Sequence, residues 1–439
     1  MSTIAEVRMW DRMIGAVSLE EGSDVATFEY DAAFARSGIE IAPLMMPLAA
    51  GRIHSFPGLA RESFHGLPGM LADALPDKFG NAVIDAWLAT QGRSGNSFNA
   101  VERLCYTGTR GMGALEFAPA QGPRERKTHR IEIDQLVDLA SEVLSSRHDL
   151  NGRFGGDEEK EDALRDILRV GTSAGGARAK AVIAWNRKTD EVRSGQVPAG
   201  KGFDYWLLKF DGVAENRDKE TLADPKGYGV IEYAYHRMAI AAGITMSECR
   251  LLEENGRRHF MTRRFDRLDG GGKLHLQSLG ALAHYDFNLA GAYGYEQALQ
   301  VMRKLGLPIS AIEEQFRRMA FNVIARNQDD HVKNIAFLMD KSGRWSLSPA
   351  FDVIYSFQPT GKWTSQHQMT LNGKRDGFVL DDFKACAKSA GMKRGRAESI
   401  VEEVRKAVSK WREFADDAEL PAAQRDAIWS TLRLKGWER

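Results

Sequence analysis

Apolar and polar positions alternate in short runs at the start of the chain. Val7-Arg8-Met9-Trp10 and Ile14 to Leu19 flank a polar Asp11-Arg12 turn, and Val25 to Tyr30 alternates in the same way. A period of two turns one face of each run toward a core, so these segments are predicted strands. A proline-containing apolar loop follows from Ile41 to Pro47. Gly66-Leu67-Pro68-Gly69 then introduces a helix from Met70, with a proline-interrupted continuation over Leu75 to Gly80. This first stretch reads as a small α+β unit.

The pattern then lengthens. Ile131 to Ser146 carries apolar residues at helical spacing, and Arg153 to Asp166 is a polar, acidic surface connection leading into a helix. A glycine-rich stretch precedes predicted strands at Ala181 to Asn186 and Tyr205 to Phe210, with Thr189 to Gly202 as the hairpin loop between them. Asp211 to Lys226 is a charged loop. Tyr228 to Ala242 is a predicted helix stopped by Gly243. Glu248 to Leu252 and His259 to Phe265 form a predicted hairpin around Glu254-Asn255-Gly256, and Gly270-Gly271-Gly272 is another turn. After Gln277 helices dominate, Ile309 to Arg326 most clearly. A hairpin of Ile335 to Met339 and Trp345 to Leu347 interrupts them, and Asp381 to Leu434 is mostly helical. A strand-rich lobe followed by a helical lobe predicts a two-lobed α+β protein, with ligand held between the lobes.

Composition narrows the choice. The 439 residues allow about two to four domains. Hydrophobic residues at 43% and charged residues at 27% exclude disorder, collagen or coiled coil for the whole chain. Sixty Lys+Arg balance sixty Asp+Glu, so bulk positive charge does not favour wrapping nucleic acid alone. A local basic patch stays open, since Ala385 to Trp411 holds seven Lys/Arg against three Glu. The three cysteines, Cys105, Cys249 and Cys386, have no zinc spacing and fit a reducing compartment. No apolar run reaches the roughly 18 residues of a membrane span, and the N-terminus has no signal-like apolar region. A soluble cytoplasmic protein without a membrane partner is expected.

Four segments could carry chemistry. Gly171 to Lys180 is rich in small residues that let backbone N–H groups approach phosphate oxygens, and Arg178 and Lys180 could add charge. Ala177-Arg178 stand where a Walker A loop needs Lys-Ser/Thr, so a P-loop is not supported; a plain surface turn is the simpler alternative. Lys209 sits inside an apolar strand, where an ammonium needs a partner; Glu232 on the next helix is one, and an outward-facing edge lysine is the other reading. Asp329 and Asn334, within Asn327-Gln328-Asp329-Asp330-His331-Val332-Lys333-Asn334, have the Asp-x4-Asn spacing of a kinase catalytic loop. A helix-capping polar loop or a metal-hydrolase site built on Asp329, Asp330 and His331 are the competing readings. Asp352 follows after a hairpin, as the second metal-binding Asp of kinases does, or as a turn residue after Pro349. In this order the segments supply a phosphate cradle, a charge clamp, a base and two metal ligands.

With that order the chain resembles the HipA family of bacterial toxin kinases over essentially its full length. The matching segments are Ser173 to Lys180, the Lys209 strand, Arg264-Phe265-Asp266-Arg267, Asn327 to Asn334, Leu347 to Asp352 and, near the N-terminus, Gly66 to Asp77. The resemblance implies the lipid-kinase-like branch of the protein-kinase fold. Residues 1–125 would form an N-terminal subdomain, 126–277 a strand-rich nucleotide-binding lobe and 278–439 a helical lobe. It implies a Ser/Thr kinase using ATP and Mg2+, with Asp329 as the catalytic residue. Gly175, Gly176, Ala177, Arg178, Ala179 and Lys180 would surround the ATP, Lys209 would touch its phosphates and Glu232 would support Lys209. Backbone at Arg263, Arg264 and Phe265 would hold the adenine, His331 and Phe351 would lie beside the nucleotide, and Asn334 and Asp352 would bind magnesium. Ser173 matches a loop serine whose autophosphorylation inactivates family members.

Implied partners are a HipB-like helix-turn-helix antitoxin, operator DNA only through that antitoxin, and a protein target such as an aminoacyl-tRNA synthetase. A small-molecule kinase on the same scaffold and a non-catalytic regulatory subunit of a DNA-binding complex are the alternatives. Three positions depart from the family. Arg263 stands where an adenine-side Glu is common, Asp330 replaces a glycine, and His275 to Gly280 lacks a polar Gln-Glu-Asp run.

Overall fold

The fold is that of a computed structural model, which describes residues 2–121, 133–145, 178–196, 199–213, 227–268 and 271–437. The first sheet comprises β1 (Thr3–Met9), β2 (Arg12–Leu19), β3 (Thr27–Tyr30), β4 (Ile53–Ser55) and β5 (Leu115–Ala118). Its strands are antiparallel in the order β4-β3-β2-β1-β5. Alternation along β1 buries Ala5, Val7 and Met9. The β1–β2 turn is Trp10-Asp11, one residue earlier than expected. Both have positive φ, 52° and 63°, as a two-residue hairpin loop of matching twist requires. Gly15 on β2 is there for space, since a Cβ would lie 2.3 Å from the Glu29 carbonyl oxygen.

The expected helix after Gly69 is two helices, Gly69–Ala72 and Lys78–Thr90. Pro76 ends the first run, because it brings no N–H and restricts the residue before it. Asp77 starts the second by accepting the Gly80 N–H at 2.6 Å.

The second sheet holds β6 (Lys180–Asn186), β7 (Glu191–Ser194), β8 (Asp204–Lys209), β9 (Cys249–Glu254) and β10 (Arg257–Arg263), in the antiparallel order β7-β6-β8-β10-β9. β7 occupies part of the expected Thr189–Gly202 loop, because a polar Glu-Val-Arg-Ser run can pair at a sheet edge. The β9–β10 turn is Asn255-Gly256, both at positive φ, as its sequence predicts. Ala181, Ile183, Trp206 and Leu208 are buried beneath the Lys78–Thr90 and Ile133–Ser145 helices.

A third sheet is built from the expected hairpin, β12 (Ala336–Met339) and β13 (Trp345–Leu347), and an added strand, β11 (His275–Ser278), which ends where helices were expected to begin. Its Met339 is shared with the core of the first unit. The remaining core is helical. Tyr228–Ala241, Ile309–Ile324, Leu380–Ser389, Arg396–Val408, Trp411–Asp417 and Ala422–Thr431 surround buried Tyr235, Phe316, Phe321 and Trp411. The chain is thus an α+β protein with a sheet lobe, a helical lobe and an additional N-terminal sheet.

The N-terminal unit is tied to the second sheet through Asp266. That carboxylate is fully buried, ion-paired with Arg264 and Arg267 at 2.7 Å each, and accepts the Gly113 N–H at 2.7 Å. Burial opposes its charge, but the two guanidinium groups hold it well below the usual carboxylate range.

Candidate active site

Lys209 ends β8, at the lobe junction. Its partner strand β6 begins directly opposite, with Lys180 in register with Lys209. Tyr228–Ala241 lies against β10 so closely that a Cβ on Gly229 would fall 2.8 Å from the Arg258 carbonyl oxygen. That approach brings Glu232 to Lys209, with Oε1 2.6 Å from Nζ. Asp352 reaches the same ammonium from the other lobe. It does so from a left-handed backbone, φ 51°, a strained conformation for a non-glycine residue and one often found at functional sites.

The charges settle according to burial. Burial works against the Lys209 ammonium, but the Asp352 and Glu232 carboxylates outweigh it and raise its pKa. Glu232, whose side chain is 4% exposed, is pushed up by burial in spite of Lys209. Asp352, at 31%, is drawn down by Lys209 and then Lys180, which overcome its desolvation. The expected Lys209–Glu232 pairing is therefore present, and Asp352 joins it.

Lys180 is not on a loop; it is the first residue of β6 and is buried. It forms an ion pair with Asp77 Oδ2 at 3.4 Å. Burial raises Asp77 to about 6, against the pull of Lys180. Arg178 stacks its guanidinium 3.3 Å from the centroid of the Tyr228 ring. Ser173, Gly175, Gly176 and Ala177 lie outside the described residues. Ala179 is buried, and its carbonyl accepts the Phe210 N–H at 3.1 Å.

Across the cleft, the Ile309–Ile324 helix delivers the Asn327–Asn334 segment. Asn334 Nδ2 donates to the Asp329 carbonyl at 2.8 Å, so the two ends of the Asp-x4-Asn spacing close on each other. Asp329 Oδ1 lies 3.8 Å from His331 Nε2 and accepts the Trp363 indole N–H at 2.6 Å. Asp330 points away from the cleft, into the helical lobe. It is buried against Tyr295, His367 and the Gln368 N–H, so it is no extra cleft carboxylate.

Phe265 and Phe351 approach with ring centroids 5.8 Å apart, one from each lobe. The Arg263 N–H donates to Glu248 and the Arg264 N–H to Tyr205, both through backbone carbonyls. The Arg263 side chain pairs with Asp204 at 3.1 Å, and that of Arg264 with Asp266.

Asn334 and Asp352 offer hard oxygen donors suited to magnesium. Among the described residues, no three His, Cys, Asp or Glu side chains gather to hold a metal by themselves. A magnesium ion that takes most of its ligands from phosphate and water needs fewer. In the basic C-terminal stretch, Arg396 is paired with Glu313 and Glu403, and Arg405 with Glu402, so part of its charge is neutralised. Among the described residues no helix is long and apolar enough to cross a membrane.

Asp77, Trp363 and His367 join these residues without having been expected from the sequence. Asp77 carried a helix-start signal, Pro-Asp before an apolar run, but nothing tied it to Lys180. Trp363 and His367 lie in a loop without periodicity.

Fold and cleft together define a two-lobed, kinase-like α+β protein. The chain belongs to the HipA family: the HipA-like C-terminal domain matches residues 172–411, more than half of the chain, and the HipA N-terminal domain matches residues 5–118. HipA of Shewanella oneidensis MR-1, solved with HipB and its operator DNA, superposes with a TM-score of 0.67 at 17% identity. That superposition covers 98% of this chain and 96% of the Shewanella chain. Y4mE of Sinorhizobium fredii, named as a kinase, is 24% identical over 204 residues, 43% of this chain and 48% of its own. The chain thus matches about half the length of that relative.

Proposed function

We propose that this chain is an ATP-dependent serine/threonine protein kinase, the toxin of a toxin–antitoxin pair. Lys209, held protonated between Glu232 and Asp352, supports this reading most, because phosphoryl transfer needs a fixed cation beside an acidic metal ligand. Lys209 and Lys180 would meet the ATP phosphates, together with the loop that includes Gly175, Gly176, Ala177, Arg178 and Ala179. Asn334 and Asp352 would hold magnesium, which neutralises phosphate charge when bound. The adenine would lie along the Arg263–Phe265 backbone, with His331 and Phe351 beside the nucleotide. Asp329 would accept the proton of the acceptor hydroxyl.

In this reading residues 1–125, 126–277 and 278–439 are the N-terminal subdomain, nucleotide lobe and helical lobe. Ser173 is the autophosphorylation site. The partner is a HipB-like helix-turn-helix antitoxin, as in the Shewanella complex, and operator DNA is reached through it. The target is a cytoplasmic protein, with an aminoacyl-tRNA synthetase the first candidate. Phosphosite mapping after incubation with Mg-ATP tests the proposal. Phosphate on Ser173 in the wild type and none in Asp329→Asn is expected; undiminished phosphate in the variant would overturn it.

A further inference from the structure

The chain that follows Asp352 folds back over the catalytic-loop candidate and holds three consecutive residues of it. Gln328 Nε2 donates to the Thr364 carbonyl at 3.0 Å. Trp363 Nε1 donates to Asp329 Oδ1 at 2.6 Å. Asp330 accepts the Gln368 N–H on Oδ1 at 2.7 Å, and on Oδ2 the Tyr295 hydroxyl at 2.6 Å and His367 Nδ1 at 2.8 Å.

The His367 tautomer follows from its other side. Arg433 Nη1 lies 2.9 Å from Nε2, and a guanidinium only donates. Nε2 is therefore the acceptor, and Nδ1 carries its proton to Asp330. Arg433 is itself fixed, donating to the Val323 carbonyl at 3.0 Å and pairing with Asp376. A buried carboxylate with three donors has no reason to move.

Asp329 accepts the Trp363 N–H on one of its two oxygens. A carboxylate turns easily about its last torsion, and the Trp363 N–H arrests that rotation. We propose that Trp363 is a positioning residue for phosphoryl transfer. It fixes the Asp329 carboxylate toward the acceptor hydroxyl, while the Asp330–His367–Arg433 chain fixes the backbone that carries it. Segment 363–368 would then be a working part of the active site. This inference rests on Asp329 being the acceptor-side carboxylate.

The test is steady-state kinetics of Trp363→Phe, which keeps a ring and loses the N–H. Misplacement of a reacting group costs on the order of tenfold to a hundredfold, and kcat should fall by that much. KM for ATP should stay within about twofold, because ground-state nucleotide binding is not touched. The unfolding midpoint should match wild type. A wild-type kcat, or a loss confined to KM or stability, overturns the inference. Asp329→Asn is run alongside. If it transfers phosphate as well as wild type, the assignment of Asp329 fails; if it is inactive while Trp363→Phe is normal, only the role of Trp363 fails. Asp330→Asn, checked by circular dichroism for folding, should lower kcat in the same way.

Discussion

Lys209→Met removes the ammonium and keeps most of the stem, leaving Glu232 and Asp352 facing each other. Stripping one partner from a buried ion pair costs about 3–5 kcal/mol. Exposure decides where in that range this site falls. The Glu232 side chain is 4% exposed and that of Lys209 13%, but Asp352 is 31% exposed and water screens part of its charge. The loss at pH 7 should therefore be near the lower end, ~3 kcal/mol. Glu232→Gln, which leaves Lys209 with Asp352, should cost closer to ~1 kcal/mol.

The pH dependence is the sharper signature. Glu232 already sits above the usual carboxylate range through burial, and loss of Lys209 raises it further. An acid with a raised folded pKa contributes stability that is present below its unfolded value, roughly 4.3, and lost as pH rises through the folded one. The deficit of Lys209→Met should thus be largest at pH 7 and shrink toward pH 5. Hydrogen exchange in β8 and the Tyr228–Ala241 helix, read beside urea unfolding, measures it where the change is made. A deficit below about 1 kcal/mol, or one unchanged by acidification, would show that Lys209 does not hold these two carboxylates.

Asp77→Asn should flatten the stability profile between about pH 4 and pH 6. In wild type the raised Asp77 carboxyl, at about 6, favours the folded state below its unfolded value and loses that contribution as pH rises; paired unfolding curves across this window check it. Asp266→Asn should cost about 3–5 kcal/mol by leaving Arg264 and Arg267 buried without their carboxylate. Limited proteolysis should then release the N-terminal sheet early. Asp266 also has the opposite pH sign: its depressed pKa gives stability above the unfolded carboxylate value that is lost in acid. Gly229→Ala should force the Tyr228–Ala241 helix away from β10, costing about 1–3 kcal/mol in thermal unfolding and weakening ATP binding through Glu232 and Lys209.

The sequence was most legible where local chemistry and tertiary position agree. Asn255-Gly256 could only be a tight hairpin, and an apolar strand ending in Lys209 called for a buried partner. Glu232 was the nearest carboxylate on the next helix. It was least legible where pairing is decided from outside. β7, β11 and β5 are short, and only their neighbours make them strands. Lys180 read as part of a phosphate loop because it follows glycines, yet its register against Lys209 places it in the sheet. Asp330 adjoins Asp329 and reads as a ligand of the alternative metal-hydrolase site. Its burial depends on Tyr295 and His367, 35 and 37 residues away in sequence, and no local pattern reports that.

By the proposed function, the cleft between Lys209 and Asp329 transfers phosphate from ATP. The decisive experiment measures transfer of the γ-phosphate to protein, with ATP affinity on the same samples. Wild type is expected to bind Mg-ATP and transfer; Asp329→Asn is expected to bind ATP comparably and transfer roughly a hundredfold to ten-thousandfold less. Equal transfer by the two proteins, or no binding of Mg-ATP by wild type, would rule out this activity.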